Sequence, residues 1–485
     1  MKFRGEQRLY FLGIYIFSNL TFAQDPIIFN NDRYSGISTV GISPTQPFLN
    51  PNGWDVHIFS ENIFANSDYI YISETSLLGL TSGGIKSADI SNGITGENTA
   101  KISDYYNHDK FGYHISSDLM GPSFSLNLNI FEKDFSVGLF TRLRIQSSAK
   151  EIDNYLQYTN QEITEPVLYD LSPFKTNFMN WAEVGLNLST EIFPYSQYQW
   201  IVGVNLKYEM GLDAFYVNNK ENAVMRREYL PNPEDPEQNI KTLYASDFDV
   251  EVGYATSYNF DADRYEFNPK GKGFGIDLGI AIVNPDRWEE SYDFKMSLNA
   301  LDIGYVNFTG NVHNFIGDNL RYTNNPVFDD VDFESPEQFA QLISNEIYGN
   351  PTESLKSNAF KIGLPTSIHF NLSKNVGENQ FLNFDLIQRA PIFENSLKRA
   401  NIANISYSVQ KPGIGYGASL STYEYETIQM GGFLRWGPLV IGSENILPIF
   451  VRHKKLHALD FYIGLKLYPL WDNDMKRRSR EDCKC

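Results

Sequence analysis

The chain is almost free of cysteine. Of 485 residues only Cys483 and Cys485 carry thiols, in a terminal "DCKC" that reads as a dispensable tail. The body therefore holds no disulfide, and its stability must come from closure and packing. Beyond the first residues, no stretch approaches the 18 apolar residues that a transmembrane helix needs, which excludes a helical membrane protein. Basic excess is also lacking: the formal net charge is −19, which excludes a nucleic-acid partner. The seven histidines show no metal-ligand spacing, and there is no GxSxG elbow and no phosphate loop. His114 with Ser116 and Ser117 are neighbours along one strand, not a triad. The acidic runs "PEDPE" (233–237) and "DDVDFESPE" (329–337) lack the order of a calcium loop and read as solvated surface. No enzyme activity, metal or cofactor is expected.

What is present begins with a leader. Lys2, Arg4 and Arg8 precede the apolar run "LYFLGIYIF", and "TFAQD" offers a cleavage point at Ala23, so residues 1–23 read as a secretory signal peptide. Aromatics make up 15% of the chain, with 30 Tyr and 35 Phe, a supply suited to the two rims of a membrane barrel. Above all, the sequence alternates. In "FSLNLNIFEKDFSVGLFTRLRI" (124–145), Phe124, Leu126, Leu128 and Ile130 share one parity with Ser125, Asn127 and Asn129 on the other. Val137, Leu139, Leu143 and Ile145 then face away from Gly138, Phe140, Arg142 and Arg144. Side chains of a strand point to opposite faces with period 2, so this is a hairpin with one apolar and one polar face. The segments starting at Trp181, Trp200, Gly273, Phe360 and Leu459 repeat the pattern, with every ionisable residue on the polar parity. A soluble sandwich alternates too, but with strands shorter than these 10- to 15-residue segments. About 9–11 tilted residues cross a bilayer.

Connection lengths support the same reading. Short turns at 132–134, 194–197, 284–291, 374–378, 411–413 and 437–438 alternate with long polar stretches at 81–112, 149–177, 218–272 and 311–357, and with shorter ones near 391–401, 425–428 and 447–456. Tight periplasmic turns and large external loops are what an outer-membrane barrel requires. The expected fold is all-β: a transmembrane antiparallel up-and-down β-barrel of about 14 strands, with 12 or 16 as neighbouring counts. Residues 24–64 are assigned to an N-terminal plug, with "WDVHIF" (54–59) read as part of it or as an extension of the first strand, 65–470 to the barrel and 471–485 to a periplasmic tail. Residues 247–259 read as a hairpin arm within the third large loop. "SPEQFAQLISNEIYGN" predicts a helix capped by Ser335 and Gln338, with Phe339, Leu342, Ile343 and Ile347 on the face that rests over the barrel mouth.

The blocks "GPSFSLNLN…FSVGLFTRLR", "GVNLKYEMGLDAFYV", "GKGFGIDLGIAI", "LDIGYVNF", "LPTSIHFNLS", "GGFLRWGPLVIGSENIL" and "DFYIGLKL" occur in an order that resembles an uncharacterised Bacteroidota outer-membrane barrel family, a domain of unknown function. The resemblance runs from about residue 30 to 470. More distantly the chain resembles FadL-type barrels, which carry hydrophobic compounds, and PorV-type barrels, which serve type IX secretion. Those families have a plug with an Asn-Pro-Ala-Gly motif. Here Asn50, Pro51 and Gly53 match it and Asn52 stands in place of alanine.

Inside such a barrel the charged candidates are Arg142, Arg144, Glu183, Lys207, Glu209, Asp277, Lys361, His369, Asp385, Arg435 and Lys466. Mixed signs favour a network that fixes wall and plug, with each buried charge paired, over a solute path. Two functions are consistent with the resemblance. One is a plugged channel for passive uptake of small, hydrophobic solutes. The other is a non-conducting structural or secretion-associated barrel that binds a partner protein. Either implies the outer membrane as location, with its lipid and the barrel assembly machinery as partners.

Overall fold

The computed structural model describes residues 25–80, 85–87, 101–105, 109–131, 133–153, 166–193, 196–231, 239–260, 262–285, 292–321, 326–329 and 335–469. The leader (1–23) and the tail with Cys483 and Cys485 lie outside the described residues. One antiparallel sheet of 17 hydrogen-bonded segments forms the wall. Three of its positions are each shared by two successive segments, which leaves 14 staves. They are β1 (Trp54–Ser67), β2 (Lys110–Met120 with Ser123–Ile130), β3 (Lys133–Asp153), β4 (Phe174–Glu191), β5 (Gln199–Asn219), β6 (Phe248–Ala255 with Gly271–Pro285) and β7 (Tyr292–Gly317). The circuit continues through β8 (Leu355–Gly363 with Ser367–Gly377), β9 (Gln380–Arg389), β10 (Ile402–Gln410), β11 (Ile414–Tyr423), β12 (Thr427–Trp436), β13 (Leu439–Ser443) and β14 (Ala458–Leu467).

The ends meet. β1 pairs with β14 from Val56↔Leu467 to Asn66↔Ala458, so the wall has no free edge. The connections after even-numbered staves, all short, lie at one rim, and those after odd-numbered staves, all long except 424–426, lie at the other. The outer face is apolar because the alternation places it there. Leu206, in register with Leu186 and Ile276, is 55% exposed, whereas Asn205 and Lys207 on either side are 0% and 2% exposed. A surface that gathers Leu and Ile outside and Asn and Lys inside inverts a soluble protein and fits hydrocarbon. Inward positions are close-packed, and Gly185 has no side chain because the Phe140 ring occupies the place its Cβ would take.

One bulge changes the parity. Leu278 pairs with Ala300 and Ile276 with Ile303, so Leu301 and Asp302 together face the single residue Asp277, and Asp302 adopts a left-handed φ of 54°. Below the bulge Ser297 and Asn299 point inward; above it Val306 and Phe308 do. The first segment of β8 pairs with the upper part of β7 and is inverted in step, Val306↔Ile362 and Phe308↔Phe360. Lys361, expected to face the lumen, therefore lies exposed on the outer face with its Nζ 4.6 Å from the Tyr305 ring centre. Phe360, Ile362 and Leu364, expected outside, are buried inside with Trp181, Tyr216 and Leu397. The interruption at 364–366 restores the parity before Ser367.

Two further boundaries differ from expectation. Residues 54–64, assigned to the plug, belong to the first wall strand: β1 pairs with β2 from Trp54↔Leu126 and with β14 from Val56↔Leu467. Residues 248–255 form no separate arm but stand above 271–285 as the upper part of stave β6, paired with β5 and β7. The expected helix is Pro336–Tyr348 (α3 below), with Gln338 N–H donating to the Ser335 hydroxyl at 3.2 Å and Gly349 closing it at φ 69°. Ala340, Ile343 and Ile347 pack on Phe248 and Phe315, so it leans on the tall ends of β6 and β7. Two small four-stranded sheets crown the long-loop rim, one including 70–75 and 453–456, the other 167–171, 223–231 and 239–246.

Candidate functional site

The site is the lumen and what fills it. Residues 25–53 enter the barrel as short turns: α1 (Ile27–Asn30), a 3-10 turn (Gly36–Thr39) and α2 (Gln46–Leu49). Such short turns satisfy few of their own backbone groups, so the wall does it for them. Asn205 and Asn187 donate to the carbonyls of Val40 and Pro44, both at 2.9 Å. Phe48 is fully buried among Ile201, Ala281, Val283, Tyr292 and Phe381 near the short-turn rim.

The motif residues form the exit from this segment to β1. Asn50 is extended (ψ 126°), as a residue before proline must be, and this ends α2 ahead of Pro51. Its side chain accepts from the Asn52 N–H at 3.1 Å and donates to Asp55 Oδ2 at 3.2 Å. Gly53 gives its carbonyl to the Asn127 N–H at 2.8 Å. Asp55 Oδ2 also accepts from the Ile37 N–H at 2.9 Å and from Lys466 Nζ at 3.1 Å. Lys466 in turn donates to the carbonyls of Tyr34 and of Ser35. Arg435 pairs with Asp32 (Nε to Oδ2 2.8 Å) and donates to the Lys411 and Pro412 carbonyls. His369 and Asn371 converge on Asp385 Oδ1, each at 2.9 Å, while Asn31 of the plug donates to Oδ2 at 2.6 Å.

Midway up, a second network crosses the lumen. Asp302, the bulge residue, accepts from Arg144 through both oxygens (2.9 and 3.1 Å), from Lys207 at 2.5 Å and from Arg399 at 2.7 Å. Lys207 also reaches Asp277 at 2.8 Å, and Glu183 sits 3.4 and 3.5 Å from Arg142 and Arg144. Arg142 additionally pairs with Asp118. Glu209 is fully buried beside these groups, and neither of its oxygens has a hydrogen-bond partner among the described residues. Thus ten of the eleven charged positions named from the sequence lie inside, and Lys361 does not.

Asp302, Arg399, Asp118, Asp55 and Asp32 were not singled out from the sequence. Asp302 and Asp118 break the local alternation, Asp55 fell in the stretch assigned to the plug, and Arg399 belongs to a connection. That connection, 390–401, folds inward as a strap instead of outward as a loop. Its Ser396 and Lys398 carbonyls accept from Asn177 (3.1 Å) and Gln146 (2.9 Å), and Leu397 packs against the inverted apolar cluster. Arg399 joins strap to wall at Asp302 and strap to plug at Asp25 (3.4 Å).

Above the strap, at the long-loop rim, a cavity of about 260 Å³ is lined by Asp68, His114, Lys150, Arg389, Tyr423 and Glu424, among others. Glu424 holds Arg389 through both oxygens (3.1 and 2.8 Å), Lys150 at 2.7 Å and the Asn401 N–H at 3.2 Å. Burial pushes its carboxyl up, but the Lys150 hydrogen bond and the Arg389 and Lys150 charges outweigh that and hold it below the usual glutamate value. His114 contacts the Gln146 amide at 3.0 Å and Ser117 donates to Glu61 at 3.0 Å, so the two point to separate partners. Among the described residues no group of three His, Cys, Asp or Glu is placed to hold a metal.

A profile of a family of unknown function, DUF5723, matches residues 59–444, from the first wall strand to the end of β13. The chain belongs to that family. No match is found among curated proteins. Among solved structures, the chain is similar to the Pseudomonas putida toluene transporter TodX at 9% identity and a TM-score of 0.30, covering 90% of this chain and 94% of that one. The Ralstonia pickettii toluene transporter TbuX gives 8% and 0.27 over 89% and 94%, and a Pseudomonas aeruginosa FadL homologue 8% and 0.30 over 93% and 99%.

Proposed function

We propose that the protein is a plugged outer-membrane channel for passive uptake of small apolar solutes, here in its closed state. The observation that carries this reading is the double closure of the lumen by plug and strap, joined to each other and to the wall through Arg399. A barrel serving only as scaffold has no need of two separate closing segments tied by reversible ion pairs. The apolar side chains that fill the lumen above the Asp302 bulge, with Phe308 and Phe360 turned inward by it and Trp181 beside them, favour apolar solutes over ions. On this reading the long-loop rim and its cavity face outward, the short turns face the periplasm, and outer-membrane lipid and the barrel assembly machinery are the obligatory partners.

The two small sheets on the long-loop rim favour a second reading, a non-conducting barrel that docks a partner protein there. Planar-bilayer conductance and solute uptake separate the two. The intact barrel should be nearly silent, and deletion of 25–53 should open it, with Arg399→Ala producing intermittent openings. If every folded variant stays silent and impermeable, the channel reading fails and the docking reading takes its place.

A further inference from the structure

We infer that the lumen holds a binding site for one hard divalent cation, Ca²⁺, built on Glu444 and Asp460 where β13 and β14 face α1. Both carboxylates are 1% exposed, and neither has an ion-pair partner among the described residues. They are neighbours: Asp460 Oδ1 accepts the Glu444 N–H at 2.6 Å, and Glu444 Oε1 accepts the Ile28 N–H at 2.9 Å. That leaves Glu444 Oε2 and Asp460 Oδ2 buried with no hydrogen-bond partner among the described residues. Two adjacent carboxylates in a low-dielectric interior cannot both stay ionised without a positive charge, since each carries a desolvation cost of several kcal/mol. Elsewhere in this lumen lysine and arginine supply that charge.

Neutral oxygens point the same way. Gly431 has no side chain, and the position its Cβ would take lies 2.6 Å from Ser419 Oγ and 2.9 Å from the Glu444 Cα. The Ser419 hydroxyl, 7% exposed and without a hydrogen-bond partner among the described residues, therefore lies beside Gly431 close to the Glu444 backbone and to Ile28, whose N–H the Glu444 carboxylate accepts. Gln429, two residues earlier on the same inward face, keeps an unpartnered Oε1 at 3% exposure. Two carboxylates with amide and hydroxyl oxygens, and no nitrogen or sulfur ligand, match a hard cation, and a charge of +2 balances the pair. Glu444 also holds the start of the plug through Ile28, so an occupied site fastens α1 to the wall.

Tyr462 provides the probe. It lies two residues beyond Asp460 on the same inward face, and its ring covers Gly442, two residues before Glu444. Its phenol is a built-in sensitiser for Tb³⁺ bound at these carboxylates. Calorimetric titration of the detergent-purified full chain with Ca²⁺ should give one saturable site, and Tb³⁺ should give tyrosine-sensitised emission displaced by Ca²⁺. Glu444→Gln or Asp460→Asn should weaken binding at least about tenfold. Tyr462→Phe keeps every carboxylate, so it should retain Ca²⁺ binding and lose most of the emission. Absence of a saturable Ca²⁺ site in the wild-type barrel overturns the proposal, as does full binding in the folded carboxylate variants. Neither result depends on whether the barrel conducts.

Discussion

At the scale of single residues, Asp302 has the largest share of the interior. Three cations surround it, so its replacement leaves positive charge buried without its counterpart, a loss of about 3–5 kcal/mol. Asp302→Asn should accordingly lower the urea midpoint of the barrel in micelles, whereas Asp293→Asn in the same stave should leave it within experimental error. Glu424 makes a pH-dependent prediction. Its folded carboxyl titrates below the unfolded value of about 4.3. Its contribution is thus complete above that value and disappears as pH falls through the lowered folded value. Proteolysis of the 390–401 strap should be slow at neutral pH and accelerate as pH falls below the unfolded glutamate value. Glu424→Gln should be fast at both. A strap equally resistant at acid pH in wild type would refute the assignment.

At the scale of elements, the alternation was legible because it is imposed by solvent: lipid on one side of a strand and a wet interior on the other leave no freedom at most positions. Leu206→Arg should therefore cost roughly 2–4 kcal/mol of folding stability. Leu206→Phe should be neutral, as read from the folded fraction in lipid vesicles. Short turns against long connections were legible from their lengths and polar composition, and the cap of α3 because its Ser335–Gln338 hydrogen bond joins near neighbours in the chain. The inversion above Asp302 was not. A bulge adds one residue, and a single extra residue swaps every later side chain between faces without altering composition or spacing. Lys361 was placed inside for that reason and Phe360 outside. The strap escaped notice for another reason: nothing in "APIFENSLKRA" distinguishes a loop that turns inward from one that turns outward, because its partners are Gln146, Asn177 and Asp302, far along the chain.

At the scale of the whole molecule, closure replaces the missing cross-links. With no cysteine among the described residues, the barrel holds its shape by joining β1 to β14 and by filling the lumen from both ends. A ring of this kind unfolds slowly, because no edge is available from which to peel it. Unheated samples in sodium dodecyl sulfate should run as a compact band and shift on boiling. A variant with four β14 residues removed at Leu459–Tyr462 should show no such shift.

The staves differ greatly in height. β7 has 26 residues and β13 has 5, and the tall run β3–β7 stands opposite the low run β9–β13. About ten residues suffice to cross hydrocarbon, so the tall side rises clear of the membrane by roughly 25 Å while the low side ends near the headgroups. The cavity lined by Tyr423 and Glu424 lies at this uneven rim, where the ends of the low staves β9, β11 and β12 meet those of β1, β2 and β3. On the channel reading, solutes that partition into the leaflet would reach this cavity from the low side of the wall ahead of those dissolved in bulk water.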